Sequence, residues 1–343
     1  MPQIEHQLVL EVLEGCAASA RAEAEQLGAV GTVSPTELVL ATADLDAVRG
    51  LRRVVAAYTT VTVPARRPRE LLETSVLQQV SALIEDLGRQ RPRQRFTGLR
   101  LAAAGADSTE MQRIAEAVAE LARVPVDEEG DLLLRVRRGA TGAGESWQLL
   151  LRTTPRPLST RPWRTVNYPG AVNATIAATV LDQMVIGAGD ELLDMTCGSG
   201  TFLVEQLHQV APARAVGVDL DPTAIEAARA HQRAARRKGR IDWITGDVLT
   251  APVEAGFTRI LTNPPWGTLH GEHATNEQLH ADLLRRAAVL AAPSARLGVL
   301  THEIRRMKQV LQAQVDEPGA WRLEREHRFF QKGHHPRLFL LRR

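Results

Sequence analysis

The stretch LLDMTCGSGT, residues 192–201, decides the fold of the second half of this 343-residue chain. Its apolar start is typical of a buried strand that ends at Asp194, and Gly198 and Gly200 allow a tight turn that brings the backbone close to a ligand. A helix that begins near Thr201 would present free N–H groups there. The glycine spacing falls short of GxGxxG, which disfavours a nicotinamide pyrophosphate site.

Short β-like runs alternate with helical patterns from residue 169 to the end of the sequence. The predicted strands are 191–195, 215–219, 241–244, 259–261, 296–300 and 338–341. This alternation predicts a mostly parallel sheet with helices on both faces. The fold class of this half is therefore α/β.

Acidic residues follow three successive strands of the predicted sheet. Asp194 ends the first strand, Asp219 and Leu220 follow the second, and Asp247 and Val248 follow the third. Because the carboxyl ends of parallel strands share one edge, the three carboxylates are expected at the edge where such folds bind ligands. Asp219 is placed to accept both hydroxyls of a ribose.

The fourth strand is followed by Asn263-Pro264-Pro265-Trp266. Together with the glycine turn and the three acids, this tetrad resembles S-adenosylmethionine (SAM) methyltransferases that methylate exocyclic or amide nitrogens. The resemblance implies that SAM is the cofactor and that these segments bind it. The implied cofactor-binding residues are Asp194, Thr196, Cys197, Gly198, Ser199, Gly200, Thr201, Asp219, Leu220, Asp247 and Val248.

The tetrad suits an amine whose lone pair is delocalised into a ring. The Asn263 side-chain oxygen and the Pro264 carbonyl can each accept one N–H bond, which favours a pyramidal nitrogen with its lone pair directed at the methyl group. Positioning and dipoles supply most of such a rate acceleration, so no strong base is required. Trp266 would stack on a base turned out of its helix. We interpret Cys197 as a packing residue rather than a nucleophile.

Further segments resemble THUMP-domain RNA guanine-N2-methyltransferases. They are 158–164 (LSTRPWR), 169–175 (PGAVNAT) and 333–339 (GHHPRLF), with weaker likeness at 108–110 and 124–127. The compact chain is most similar to bacterial enzymes that act on tRNA guanosine at the sixth position. It departs from the family at Trp266, where Tyr or His is usual.

The resulting domain prediction has four parts. Residues 1–64 read as a ferredoxin-like α+β domain with order strand, helix, strand, strand, helix, strand, in which Asp44 caps the second helix. Residues 65–154 are a THUMP RNA-binding domain, 155–168 a Pro-rich linker, and 169–343 a Rossmann-like methyltransferase domain.

Charge is distributed unevenly, although the net formal charge is only +2. Residues 1–64 hold eight acids against four arginines, whereas 88–106 and 146–181 contain arginines and no acid. Such runs create local positive fields that suit RNA, although many merely face water. We expect Arg161 and Arg164 of the linker to bind RNA.

Composition excludes several classes of protein. With 44% hydrophobic and 24% charged residues the chain is neither disordered nor fibrous, and its apolar runs are too short for a membrane span. Two distant cysteines and an acidic start predict a cytoplasmic protein without disulfides or export. His270 to His273 and the pair His334 and His335 lack a ligand cluster, so no metal is expected.

The resemblance implies a SAM-dependent tRNA guanine-N2-methyltransferase, and we expect it to act as a monomer. Methylation of ribosomal-RNA guanine-N2, adenine-N6 or glutamine is an alternative, although the last two do not need a THUMP-like module. A non-catalytic RNA-binding protein with a relic cofactor fold is a further alternative. The intact acids, glycines and Asn263 speak against it.

Overall fold

The computed structural model describes residues 6–42, 44–89, 96–139, 145–264, 273–317, 319–331 and 333–343. The chain forms two compact units. The first contains Met1–Val12 and Ala17–Ser159, and the second contains Leu13–Cys16 and Thr160–Arg343. Within the described residues, every helix is too short or too polar to span a membrane.

The first unit contains one seven-stranded sheet in the order β2-β3-β1-β4-β7-β6-β5. Its strands are β1 His6–Glu11, β2 Ala29–Ser34, β3 Glu37–Thr42, β4 Ala56–Pro64, β5 Leu99–Ala103, β6 Leu132–Arg138 and β7 Ser146–Arg152. Its α-helices are α1 Ala17–Ala24, α2 Thr74–Arg89 and α3 Thr109–Ala122, and two short 3₁₀ helices span Ala47–Gly50 and Pro68–Leu72.

The strands β1 to β4 have the order predicted for the ferredoxin-like part. β1 lies between β3 and β4, β2 pairs with β3, and all three pairings are antiparallel. The predicted second helix is wrong, because only the 3₁₀ turn Ala47–Gly50 forms there. The N-cap position of this turn is Asp46 rather than Asp44, although the Asp44 side chain accepts the N–H of Ala47 at 2.9 Å. The connection is short, and Leu45, Val48 and Leu51 already reach the core from this single turn.

The two predicted front domains share this sheet. β4 pairs with β7 from Tyr58 opposite Arg152 to Pro64 opposite Ser146. Each part keeps its own apolar cluster, one around Leu8, Leu40 and Val48 and one beneath α2 and α3. The pairing leaves β4 with a neighbour on both sides, so its backbone groups are not exposed at an edge. Residues 1–64 and 65–154 are thus joined without a break.

The second unit contains a seven-stranded sheet in the order β10-β9-β8-β11-β12-β14-β13. Its strands are β8 Glu191–Asp194, β9 Arg214–Asp219, β10 Asp242–Thr245, β11 Phe257–Thr262, β12 Ala291–Thr301, β13 Arg322–Arg328 and β14 Arg337–Arg342. Its helices are α4 Ala174–Met184, α5 Thr201–Gln209, α6 Pro222–Ala235, α7 His273–Leu290 and α8 Ile304–Ala313.

The strands from β10 to β12 are parallel, and β14 and β13 are added antiparallel. One apolar cluster contains residues of α4, α5 and α6, and another contains residues of α7 and α8. The chain starts at β8, proceeds outward to β10, and then returns to β11 on the other side of β8. Ligands of doubly wound folds bind where the order reverses in this way, beyond the carboxyl ends of the strands.

The sequence analysis did not predict one strand of this sheet. β13 reads RLEREHR and is largely exposed, so it shows no apolar alternation. β13 forms because it pairs with the backbone of β14. The charged side chains of β13 protect a sheet edge that could otherwise pair with another chain.

Candidate active site

The glycine turn joins β8 to α5 and is held by both neighbouring strands. The Met195 N–H donates to the Leu261 carbonyl at 2.8 Å, and the Cys197 N–H donates to the Val218 carbonyl at 2.9 Å. Gly200 has a φ of +78°, and a Cβ there would lie 2.5 Å from the Trp243 ring. Backbone conformation and packing therefore both require glycine at this position.

Asp194 is a buried acid at the centre of the site. Its side chain is fully buried, and neither carboxyl oxygen has a hydrogen-bond partner within the described residues. Burial raises the pKa of Asp194 to about 8. The backbone N–H of Thr196 lies nearby and lowers this pKa, but it is too poorly aligned to form a hydrogen bond. A buried carboxyl group without a partner is costly, so this position suits a ligand that carries positive charge or donates hydrogen bonds.

Asp219 binds the glycine turn from the end of β9. Its Oδ2 accepts the Gly198 N–H at 2.7 Å, and its Oδ1 accepts the Asp221 N–H at 3.0 Å. Each carboxylate oxygen keeps a further lone pair for a ligand hydroxyl. The next residue, Leu220, is 73% exposed. An acceptor beside an exposed apolar side chain fits the ribose and base of a nucleoside.

The remaining predicted cofactor residues differ in what they can offer a ligand. Asp247 is exposed and accepts the Leu249 N–H at 3.0 Å. The Val248 side chain is buried in the core, so its predicted contact with the cofactor would be made by its backbone. Cys197 is also buried in the core, and burial raises the pKa of its thiol. Ser199 is also buried, and its hydroxyl has no hydrogen-bond partner within the described residues.

A threonine hydroxyl connects the glycine turn to the end of β11. The Asn263 N–H donates to Thr196 Oγ1 at 3.0 Å, and Thr262 Oγ1 lies 3.0 Å from the same oxygen. This junction brings Asn263 beside the turn although 67 residues separate it from Thr196. Asn263 is half-buried and Pro264 is buried. Pro265 and Trp266 lie outside the described residues.

Arg161 does not meet the expectation of an RNA contact. Its Nε donates to Glu205 Oε1 at 2.7 Å, and the two side chains are 3% and 0% exposed. A guanidinium enclosed with its counter-charge is not available to a phosphate. The prediction failed because sequence cannot distinguish a buried Arg from an exposed one.

Arg164 is also engaged within the second unit. It is half-buried, and its Nη2 donates to the Val172 carbonyl and to Thr201 Oγ1, each at 2.9 Å. Thr201 is the first residue of α5, so Arg164 braces the helix that follows the glycine turn. These contacts give it a structural role, and its contact with RNA stays a prediction.

Sequence analysis missed His231 on α6. Its Nδ1 lies 2.9 Å from the Ser199 carbonyl and therefore donates to it, while Nε2 lies 3.1 Å from the Val166 backbone nitrogen. The ring is fully buried, and burial lowers its pKa, so the neutral form holds the turn. The available signal was its position on the apolar face of α6 with Ala224 and Ala228.

Tyr168 is a second missed residue. Its hydroxyl donates to Asp221 Oδ2 at 3.0 Å, and burial, with Asp221 next, raises its pKa to about 12. Asp221 also caps α6 by accepting the Thr223 N–H. The segment 161–168 is thus fastened to the glycine turn and to the starts of α5 and α6.

Within the described ranges, no group of three or more His, Cys, Asp or Glu side chains could hold a metal ion. His270 lies outside those ranges, and the side chain of His273 is not described. His335 Nδ1 accepts a hydrogen bond from Arg328 Nη2 at 2.9 Å.

Comparison with known proteins identifies the family. The model of UPF0020, the RMKL-like methyltransferase domain, matches residues 161–336. The chain belongs to this family. Its second unit has the Rossmann-like fold of SAM-dependent methyltransferases.

Individual relatives are more distant. The tRNA1(Val) (adenine(37)-N6)-methyltransferase of Porphyromonas gingivalis is 29% identical over 123 residues, which are 32% of this chain and 48% of that protein. The tRNA (guanine(6)-N2)-methyltransferase of Methanocaldococcus jannaschii is 23% identical over 192 residues, 45% of this chain and 50% of that protein. The matches span about half the length of these curated relatives.

A solved structure matches almost the whole chain. The crystal structure of TrmN from Thermus thermophilus superposes with a TM-score of 0.75 at 23% identity, covering 98% of this chain and 99% of that one. This match confirms the overall fold of both units. The THUMP assignment of residues 65–154 stays a prediction.

Proposed function

We propose that this protein is a SAM-dependent RNA methyltransferase that methylates the exocyclic N2 amine of a guanosine in tRNA, at position six. The observation that carries the proposal is the Thr196 junction, because it holds Asn263 against the turn assigned to the cofactor. The family and the guanine(6)-N2 relative support the same conclusion.

The cofactor assignment rests on three features of the carboxyl edge. Asp219 would accept the ribose hydroxyls, Leu220 would cover the base, and the unpartnered Asp194 would lie towards the cationic part of SAM. Bound SAM supplies a methyl group on a positively charged sulfur. The carboxylates therefore match the ligand in hydrogen bonding and in charge.

Asn263 and Pro264 would orient the target amine. Their side-chain and backbone oxygens accept its two hydrogens, so the nitrogen lone pair points at the methyl carbon. SAM would supply the methyl group, so that an N–C bond would replace the S–C bond, and the amine would then release a proton to solvent. Fixed dipoles aimed at the developing positive charge lower the barrier without a strong base.

Two other parts of the proposal concern the RNA. Trp266 would stack on the guanine once it is turned out of its helix, because a stacked base cannot reach the cofactor. The first unit, including the THUMP domain proposed at 65–154, would hold the rest of the tRNA.

Methylation assays on matched transcripts test the substrate. A tRNA with guanosine at position six should yield N2-methylguanosine by mass spectrometry of nucleosides. The same tRNA with inosine there, which lacks the N2 amine, should accept no methyl group. Methylation of the inosine transcript at an unchanged rate would overturn the proposed position.

Adenine-N6 methylation of tRNA is the second candidate, because the relative from Porphyromonas gingivalis has that activity. The Asn263 arrangement would serve an adenine amine by the same geometry. The mass-spectrometric assay separates the two candidates, since this one predicts N6-methyladenosine from both transcripts.

The cofactor site has its own test. Charge-assisted hydrogen bonds contribute about 1.5–3 kcal/mol each, so Asp219→Ala should weaken SAM binding by at least about tenfold in calorimetry. Asp242→Ala is the matched control. Asp242 begins the neighbouring strand β10, so it lies towards the opposite edge of the sheet from Asp219, which ends β9. Equal effects of the two variants would place SAM elsewhere.

A further inference from the structure

The turn between β13 and β14 lies at the same sheet edge as Asn263. Because β14 is antiparallel to β12, its first residue Arg337 pairs with Thr301, the last residue of β12, and also with Arg328. β12 is the direct neighbour of β11. Successive strands are about 4.8 Å apart, so the turn begins on the order of 10–15 Å from the end of β11.

Four rings and one guanidinium gather at this turn. We name His302, Arg328, Phe330, His334 and His335 the edge cluster. The His302 and His334 rings meet edge to face at 5.6 Å, and the Phe330 and His335 rings lie 4.8 Å apart. Arg328 donates to the His335 ring at 2.9 Å. His302 follows β12 and is the member nearest to β11.

The backbone holds the edge cluster in place. Gln331 and His334 exchange two hydrogen bonds of 2.9 Å, and the Phe329 N–H donates to the Pro336 carbonyl at 2.9 Å. The Phe329 side chain is fully buried, and the Phe330 N–H donates to the Glu14 carbonyl. The rings are therefore presented from an anchored turn.

Exposure and charge suit a nucleotide. His334, His335 and Arg328 are exposed, and His302 and Phe330 are half-buried, so the rings do not serve only the core. The neighbouring carboxylate of Glu303 is paired with Arg306. Aromatic faces stack on bases, and a guanidinium binds phosphate or stacks as well.

We propose that the edge cluster binds a nucleotide adjacent to the target in the RNA, with its rings stacked on that base and Arg328 on its phosphate. This inference rests on the proposed RNA substrate. The turn that carries Phe330, His334 and His335 begins on the order of 10–15 Å from the end of β11, a distance that suits a neighbour of the target base along the strand. Stacking of that neighbour would hold the strand open while the target base is turned out.

Binding of tRNA across a salt series tests this site. Each stacked base contributes about 1–3 kcal/mol, so His335→Ala and Phe330→Leu should weaken tRNA binding roughly five- to 150-fold. Arg328→Ala should also reduce the salt dependence of binding, because a phosphate contact is lost. SAM affinity should stay within twofold in all three variants.

Arg322→Ala is the matched control, since Arg322 starts β13 at the far end from the turn. The proposal would be overturned if the edge-cluster variants changed tRNA affinity no more than Arg322→Ala does, or by less than twofold. A tRNA in which the neighbour of the target nucleotide is abasic should bind the unmodified protein and the Phe330→Leu variant with equal affinity. These are binding measurements, so they stand apart from the methylation assay, whose failure would refute only the proposed activity.

Discussion

The two ends of one sheet edge use similar side chains in opposite ways. Beside β8 and β9, Arg161 and Arg164 bind α5 through Glu205 and Thr201, and His231 binds the glycine turn through Ser199. Beside β12 and β14, Arg328, His334 and His335 are exposed. The comparison teaches that a positively charged stretch does not identify a binding surface until burial is known.

The difference follows from the two proposed ligands. A cofactor site needs a turn held in one conformation, because ordering it on binding would weaken affinity. The enclosed Arg161–Glu205 ion pair and the neutral buried imidazole of His231 provide that order. RNA must enter and leave, so the groups proposed to bind it have to remain accessible to solvent.

The largest expected effect is a loss of stability on replacing Arg161, which tests whether this arginine is structural. Arg161→Ala removes one member of the buried Arg161–Glu205 ion pair, which costs about 3–5 kcal/mol of unfolding free energy. Urea denaturation measures the loss, with the exposed linker residue Arg156 changed to Ala as the control. Unchanged stability together with a flatter salt dependence of tRNA binding would restore Arg161 as an RNA contact.

Asn263→Ala should affect chemistry and leave the braced turn intact. Loss of one oriented acceptor lowers the maximal rate by roughly 10²–10³ while SAM affinity stays within a few-fold. Single-turnover methylation and calorimetry measure the two quantities. If both fell together, the Asn263 side chain would be a structural part of the cofactor site rather than a group that touches the amine.

Proton release on SAM binding would sharpen the assignment of Asp194. The pKa of about 8 lies above the usual value, so the free protein carries a neutral acid at pH 7 and loses stability as pH rises through 8. A cationic ligand favours the carboxylate, so SAM affinity should increase severalfold from pH 6 to pH 8. Asp194→Asn should remove that part of the pH dependence in calorimetry.

The smallest expected effect concerns His231. Its pKa is lowered by burial and by nearby Arg164, so protonation opposes folding and stability should fall as pH drops below about 6.5. His231→Gln can keep a donor and an acceptor and should reduce this slope. The control is His335→Gln, at an exposed position. Identical slopes in the two variants would contradict a buried neutral imidazole at the glycine turn.

Local patterns allowed much of this protein to be predicted. The order of the strands of the second unit, apart from β13, follows from apolar runs and turn residues. Gly200 and the acids after the strands are likewise local signals, because a tight turn and a strand end are made by neighbouring residues.

Only the tertiary structure decided the partners of the buried polar groups. Arg161 and Arg156 have similar sequence surroundings. Arg161 is buried and paired with Glu205, 44 positions away, whereas Arg156 is exposed. The same holds for His231 with Ser199, for β13 as an edge strand, and for the pairing of β4 with β7. These features depend on long-range packing and desolvation, which the identity of a residue and its neighbours do not specify.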